Sequence, residues 1–252
     1  MQRAANANDS IAGDSAILPI RGHGLAFERG GRRLLDGIDI EIAGTGTLVI
    51  IGPNGAGKSL LARVLAGLIE PTAGEVTWAG RPPQRRRAPK IGFVFQRPVL
   101  LRRSAQANIE YALAVAGVPR PGRAERAQAA LARARLTHLA GSPARVLSGG
   151  EQQLLSIARA LATAPEIMIL DEPTSNLDPA ATKAIEALLD AVRSEGTRIV
   201  LITHDLGQAR RLADEVAFLH HGRMIERTER KGFFASPRSE VAQAFLRGEI
   251  VL

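Results

Sequence analysis

Cysteine is absent from the 252 residues, which excludes disulfides and thiolate metal sites and agrees with a reducing compartment. Aromatic residues make up only 4%, too few for a surface on which successive bases stack. Lysine is confined to Lys58, Lys90, Lys183 and Lys231, so the net charge of +8 comes from arginine. The arginines are scattered apart from Arg85-Arg86-Arg87 in a proline-flanked loop. Specific nucleic-acid binding is therefore not expected; the arginine loop reads as a solvated segment near anionic headgroups. No apolar run reaches the roughly 18 to 20 residues needed to cross a bilayer, and no basic-then-apolar leader opens the chain. A soluble chain acting in the cytosol is expected. With 45% hydrophobic residues it can bury a full core in one or two domains.

What is present is organised around GPNGAGKS: Gly52, Pro53, Asn54, Gly55, Ala56, Gly57, Lys58 and Ser59. An apolar β-type run, Thr47 to Ile51, leads into it, and a helix-type run, Leu60 to Leu68, follows. Strand, glycine loop and helix in that order form a P-loop, whose backbone N–H groups turn inward around an anion at a helix N-terminus. Lys58 then reaches the β- and γ-phosphates of a nucleotide, and the Ser59 hydroxyl coordinates Mg²⁺.

Residues 1 to 16 are polar and alanine-rich and read as a mobile tail. Two strands, Ile17 to Phe27 and Gly37 to Ile42, flank the turn Arg29-Gly30-Gly31-Arg32. Phe27 is the aromatic nearest that turn and is read either as core or as facing a base. Gly67 stops the helix, and Glu75 to Trp78 starts another strand. A short strand from Ile91 to Phe95 then delivers Gln96, either a Mg²⁺ and water-positioning amide or a loop residue bonded to backbone. From Ser104 to Leu139 the pattern turns helical, with a second helix from about Gly122 to Arg135. Pro98 to Arg103, ahead of it, is apolar and basic and expected to be exposed to a partner.

LSGGEQQ, from Leu147 to Gln153, opens a long helix through Leu161. Ser148 and Glu151 have capping-box spacing. That motif does not account for Gly149 and Gly150, each costing about 1 kcal/mol against alanine inside a helix. Ile167 to Leu170 reads as a buried strand ending in Asp171-Glu172, where open α/β sheets bind ligands. Asp171 suits Mg²⁺, and Glu172 suits the base for a water attacking the γ-phosphate. After Ser175-Asn176-Leu177-Asp178 come a helix from Ala180 to Glu195, a strand from Arg198 to Thr203, and His204 at its end. A helix near Leu206 to Ala213, strands near Glu215 to Leu219 and Arg223 to Ile225, and a helical tail complete the pattern.

With GPNGAGKS, Gln96, LSGGEQQ, IMILDEP, SNLD and His204 in this order, the chain resembles the ATP-binding subunit of ABC transporters over residues 17 to 246. The resemblance implies an α/β P-loop NTPase core with an N-terminal antiparallel β subdomain, a helical subdomain inserted at about residues 97 to 160, and a tail at 247 to 252. It makes Gly52 to Ser59, with Leu60 following, the Walker A loop, Gln96 the Q-loop and Leu147 to Glu151, with Ser148, Gly149 and Gly150, the signature. Asp171 becomes the Walker B aspartate, Glu172 the catalytic glutamate, Ser175 to Asp178 the D-loop and His204 the switch histidine. ATP and Mg²⁺ are the implied cofactors. A head-to-tail homodimer is implied, with Ser148 to Gly150 of one copy on the γ-phosphate held by Lys58 of the other. So are transmembrane permease subunits and, indirectly, an extracytoplasmic solute-binding protein, the chain sitting at the cytoplasmic face of the bacterial membrane. FQRPVLLRRSAQANIEYAL and THDLGQARRLADEVAFLHHGR look most like tungstate-type oxyanion importer subunits. Molybdate, phosphate and polar amino acid importers share parts of them. The family often places an aromatic where Arg29 stands, arginine where Leu154 stands and threonine where Leu60 stands, which leaves adenine stacking to Phe27, to Arg29 or to neither.

Overall fold

The computed structural model describes residues 16 to 249; most of the expected N-terminal tail and the last three residues lie outside it. Chain order gives β1 (Ile20–Arg29), β2 (Arg32–Ile42), β3 (Thr47–Ile51), α1 (Lys58–Leu65), β4 (Ala73–Trp78) and β5 (Ile91–Val94). Then come α2 (Ala105–Val115), α3 (Arg123–Arg133), α4 (Gly149–Leu161), β6 (Ile167–Asp171), α5 (Pro179–Ser194) and β7 (Arg198–Ile202). The described chain ends with α6 (Leu206–Leu212), β8 (Glu215–His220), β9 (Arg223–Glu229), α7 (Arg230–Ala235) and α8 (Glu240–Leu246).

Two sheets form. The smaller has the order β2-β1-β4 with both pairings antiparallel. The larger has the order β5-β6-β7-β3-β8-β9, parallel except for the edge strand β9. Strands β3, β6 and β7 are buried at every residue, as expected for parallel strands covered on both faces. Alternation along β3 divides the core: Val49 and Ile51 pack among the helices, whereas Leu48 and Ile50 pack toward the small sheet and α1. Each such side chain contributes about 1.5 to 3 kcal/mol on burial. The Trp78 indole donates to the Leu65 carbonyl at 3.0 Å, fastening the small sheet to α1. The tail helices dock on β8 through Phe218, whose ring lies 5.3 Å from that of Phe245 and 6.2 Å from that of Phe233.

Helices α2, α3 and α4, inserted in chain order between β5 and β6, pack on one another as the inserted helical subdomain. Because β3, β5, β6 and β7 run parallel, their carboxyl ends deliver Gly52, Gln96, Asp171-Glu172 and His204 to one edge of the sheet. One expectation is corrected in the loop after β5: Val99 is 63% exposed, but Leu100 is buried at 6%, so the segment is anchored on one side rather than exposed throughout.

Candidate functional site

The glycine loop turns where β3 ends beside its neighbour β8. A Cβ on Gly52 (φ +150°) would lie 2.0 Å from the Leu219 carbonyl oxygen, a backbone approach that no side chain permits. Beyond it α1 begins at Lys58, itself only 5% exposed. The Lys58 ammonium donates to the Gly52 and Pro53 carbonyls at 2.8 and 2.9 Å. Burial pushes its pKa below the ordinary lysine value, and the charges of Glu172 and Asp171 partly restore it.

Ser59 Oγ donates to Asp171 Oδ1 at 2.6 Å, joining α1 to the end of β6. Asp171 is 2% exposed, and burial raises its pKa against the opposing Ser59 hydrogen bond and the charge of Arg63. Arg63 Nη2 stands 3.5 Å from Asp171 Oδ2.

Glu172 adopts φ +46°, a left-handed backbone that costs about 1 to 3 kcal/mol for a residue of this kind. Its N–H donates to the Ile202 carbonyl at 2.9 Å, and three side chains hold its carboxylate. Gln96 Nε2 donates to Oε2 at 3.0 Å, Ser175 Oγ donates to the same oxygen at 2.8 Å, and His204 Nδ1 lies 3.2 Å from Oε1. An acceptor-only group with its orientation fixed from three sides can take a proton from a water in front of it.

Asn54 to Leu60, Gln96, Glu172 and His204 line one open cavity of about 670 Å³, ample for a nucleotide. Gly52 and Pro53 lie beneath it, and Asp171 reaches it through Ser59. Leu34, Ser175 and Asn176 also line it. Phe27 is half-buried against the core between the sheets, and neither it nor Arg29 reaches the cavity. Leu34, from β2, lines the cavity as an exposed hydrophobic residue. Sequence reasoning also passed over Arg63, signalled by its place one turn after Ser59 on α1, and the Ser175 hydroxyl.

Ser148, Gly149, Gly150 and Glu151 are outside the cavity. Ser148 caps α4 in a full capping box with Glu151. Gly150 is explained within the chain, since a Cβ there would lie 2.6 Å from the Ala181 Cβ on α5. Gly149 is not: a Cβ would make only ordinary contact with Leu177, at 3.6 Å. Asp178 caps α5, accepting from the Ala180 and Ala181 N–H groups at 2.9 and 2.8 Å.

A family model described as ABC transporter matches residues 35–175. The chain belongs to the ABC transporter ATP-binding family. As an ABC ATP-binding subunit it is an ATPase, with the fold expected of that family. It is 43% identical over 244 residues to a methionine import ATP-binding protein of Nocardia farcinica, covering 92% of this chain and 73% of the relative. A phosphate import ATP-binding protein of Natronomonas pharaonis is 37% identical over 237 residues, covering 88% of this chain and 84% of the relative. The chain spans 65% of a methionine import relative from Leifsonia xyli, at 41% identity over 84% of its own length. Among solved structures, an ATP-binding cassette in a dimeric post-hydrolysis state with ADP and Pi superposes with TM-score 0.76 at 30% identity, over 85% of this chain and 100% of that one. The ABC subunit's GPNGAGKS, Gln96 and Asp171-Glu172 fall inside the matched span, and His204 lies beyond it.

Proposed function

We propose that the chain powers an importer for a small amino acid of the methionine type, by ATP-driven closure of a homodimer on a separate permease. The observation that carries the ATPase reading is the convergence of Lys58, Ser59, Gln96, Glu172 and His204 on one cavity. Lys58 binds the β- and γ-phosphates, with the P-loop N–H groups around them. Ser59 and Asp171 form a pair of hard oxygen donors, with the Gln96 amide oxygen a third candidate. No cluster of three or more His, Cys, Asp or Glu that could hold a metal occurs among the described residues. The donor set therefore fits Mg²⁺, which takes one or two protein oxygens and completes its shell with phosphate and water. When bound, Mg²⁺ neutralises charge on the phosphates. Glu172 orients water and accepts its proton, while Gln96, Ser175 and His204 fix the carboxylate.

Ser148 to Gly150 of one copy meet the phosphates held by Lys58 of the other, which gives Gly149 a reason that packing within one chain does not supply. Gly149→Ala is thus expected to leave thermal stability unchanged or raised by up to about 1 kcal/mol. Gly150→Ala, pressed on Ala181, should cost about 1 to 3 kcal/mol. Both should lower turnover, Gly149→Ala by at least about tenfold, near 1.4 kcal/mol of barrier. Paired melting curves and steady-state assays check this, and a fully active Gly149→Ala enzyme would count against the composite site.

No helix among the described residues is long and apolar enough to cross a membrane. The chain works at the cytoplasmic membrane face beside its permease subunits, with an extracytoplasmic binding protein acting through them. The relatives described above are named for methionine and phosphate and none for tungstate, so the solute is taken from them and not from the tungstate expectation. Phosphate is the second reading, favoured by the fuller coverage of that relative. ATPase stimulation of the permease-bound enzyme by a methionine-loaded binding protein is expected. Stimulation only by phosphate- or tungstate-loaded proteins would reverse the assignment.

A further inference from the structure

The segment from Phe95 to Arg103 leaves the parallel sheet at β5, yet side chains of the helical subdomain bind its backbone. Gln153, on α4 and 1% exposed, donates Nε2 to the Phe95 carbonyl at 3.1 Å. Six residues along the same helix, Arg159 donates Nη1 to the Val99 carbonyl at 2.7 Å. Asn108 of α2, fully buried, accepts from the Leu101 N–H at 2.8 Å and donates to the Arg103 and Ser104 carbonyls. The loop is tied to the core by the buried Leu100 and, at the site itself, by Gln96 through its bond to Glu172.

Gln153 is an unusual choice for a buried helix face, because its Oε1 has no hydrogen-bond partner. A buried amide with one unpaired atom is unfavourable against an apolar residue of similar size, and what the amide supplies here is the bond to Phe95. Arg159 is half-buried, and that burial pushes its pKa below the ordinary value, while its guanidinium donates to a loop carbonyl.

We propose that Gln153 and Arg159 are positioning residues that clamp the Gln96 loop to α4, so that Glu172 senses the placement of the helix bearing Ser148 to Gly150. The two contacts bracket Gln96: Phe95 precedes it and Val99 lies three residues beyond. A shift of α4 carries both carbonyls, and the Gln96 amide with them, relative to a Glu172 held by β6 and β7. The P-loop takes no part in the clamp, so nucleotide affinity is separable from it. Its effect on turnover rests on the ATPase reading above; the order of the loop does not.

The test compares wild type with Gln153→Met/Arg159→Met, both replacements keeping much of the side-chain volume while removing the donors. Amide exchange over residues 96 to 100 should accelerate at least about tenfold, with Leu101, whose N–H is held by Asn108, and α2 unchanged. With MgATP, kcat should fall at least about fivefold and KM stay within about twofold, because the lost interaction serves turnover and not ground-state binding. Arg159→Lys, which keeps one donor, should recover most of kcat. Should the double variant fail to fold, Gln153→Met alone carries the same measurements with smaller shifts. Unchanged exchange overturns the clamp, as does unchanged kcat or a rise in KM matching any loss in a chain that hydrolyses ATP. A wild type without ATPase activity would sink the ATPase reading, and exchange would still decide whether the loop is clamped.

Discussion

Replacing Glu172 with Gln is expected to lower kcat for ATP hydrolysis by about 10² to 10⁴, the contribution of a positioned general base. The substitution is nearly isosteric. The amide oxygen can still accept from Gln96 or Ser175, which now donate to Oε2, and the left-handed backbone at φ +46° is unaltered. What disappears is an atom able to take a proton from water, since an amide is not a base at neutral pH. The P-loop contacts are untouched, so ATP affinity should remain within about threefold, roughly 0.7 kcal/mol. Steady-state turnover together with equilibrium ATP binding separates the two quantities. Near wild-type turnover would remove Glu172 from the chemistry and shift attention to His204.

Lys58→Ala should act on the other quantity. The ammonium is nearly enclosed, bonded to two carbonyls of its own loop and flanked by the charges of Asp171 and Glu172. Hydrogen bonds to a charged group contribute about 1.5 to 3 kcal/mol each, and phosphate oxygens are the strongest acceptors Lys58 can exchange for those carbonyls. Truncation removes this attraction and leaves the buried Asp171 and part-buried Glu172 carboxylates near an anionic ligand with less opposing charge. ATP affinity should fall at least about 100-fold, or 2.7 kcal/mol. Calorimetric titration of the folded variant measures it, and binding within threefold of wild type would contradict the assignment.

Much of the site was legible in the sequence because it is built from local runs. The stretch read as Thr47 to Ile51 is β3 with the same ends, and LSGGEQQ opens α4 with the capping box its spacing implied. Buried parallel strands advertise themselves as short apolar runs, and the polar residues that end them are conspicuous. Long-range contacts were hidden. Gly52 is required by Leu219, which is far away in sequence and reaches it only because β8 pairs with β3. Arg63 looks like a solvated helix residue until β6 places Asp171 beside it. Ser175 and Asp178 read as parts of one loop, but the folded chain gives one to the Glu172 carboxylate and the other to the first turn of α5. Leu34 on the cavity wall follows from the way the β1–β2 hairpin folds over α1, which no nearby residue signals.

The proposed head-to-tail dimer is the claim on which the rest depends, because one chain holds Lys58 and the Ser148–Gly150 turn in separate places. Light scattering of Glu172→Gln with saturating MgATP tests it most directly. The account predicts a species of twice the 26.8 kDa chain mass that reverts to monomer when ATP is withdrawn. A chain that binds ATP yet stays monomeric at every concentration would contradict it.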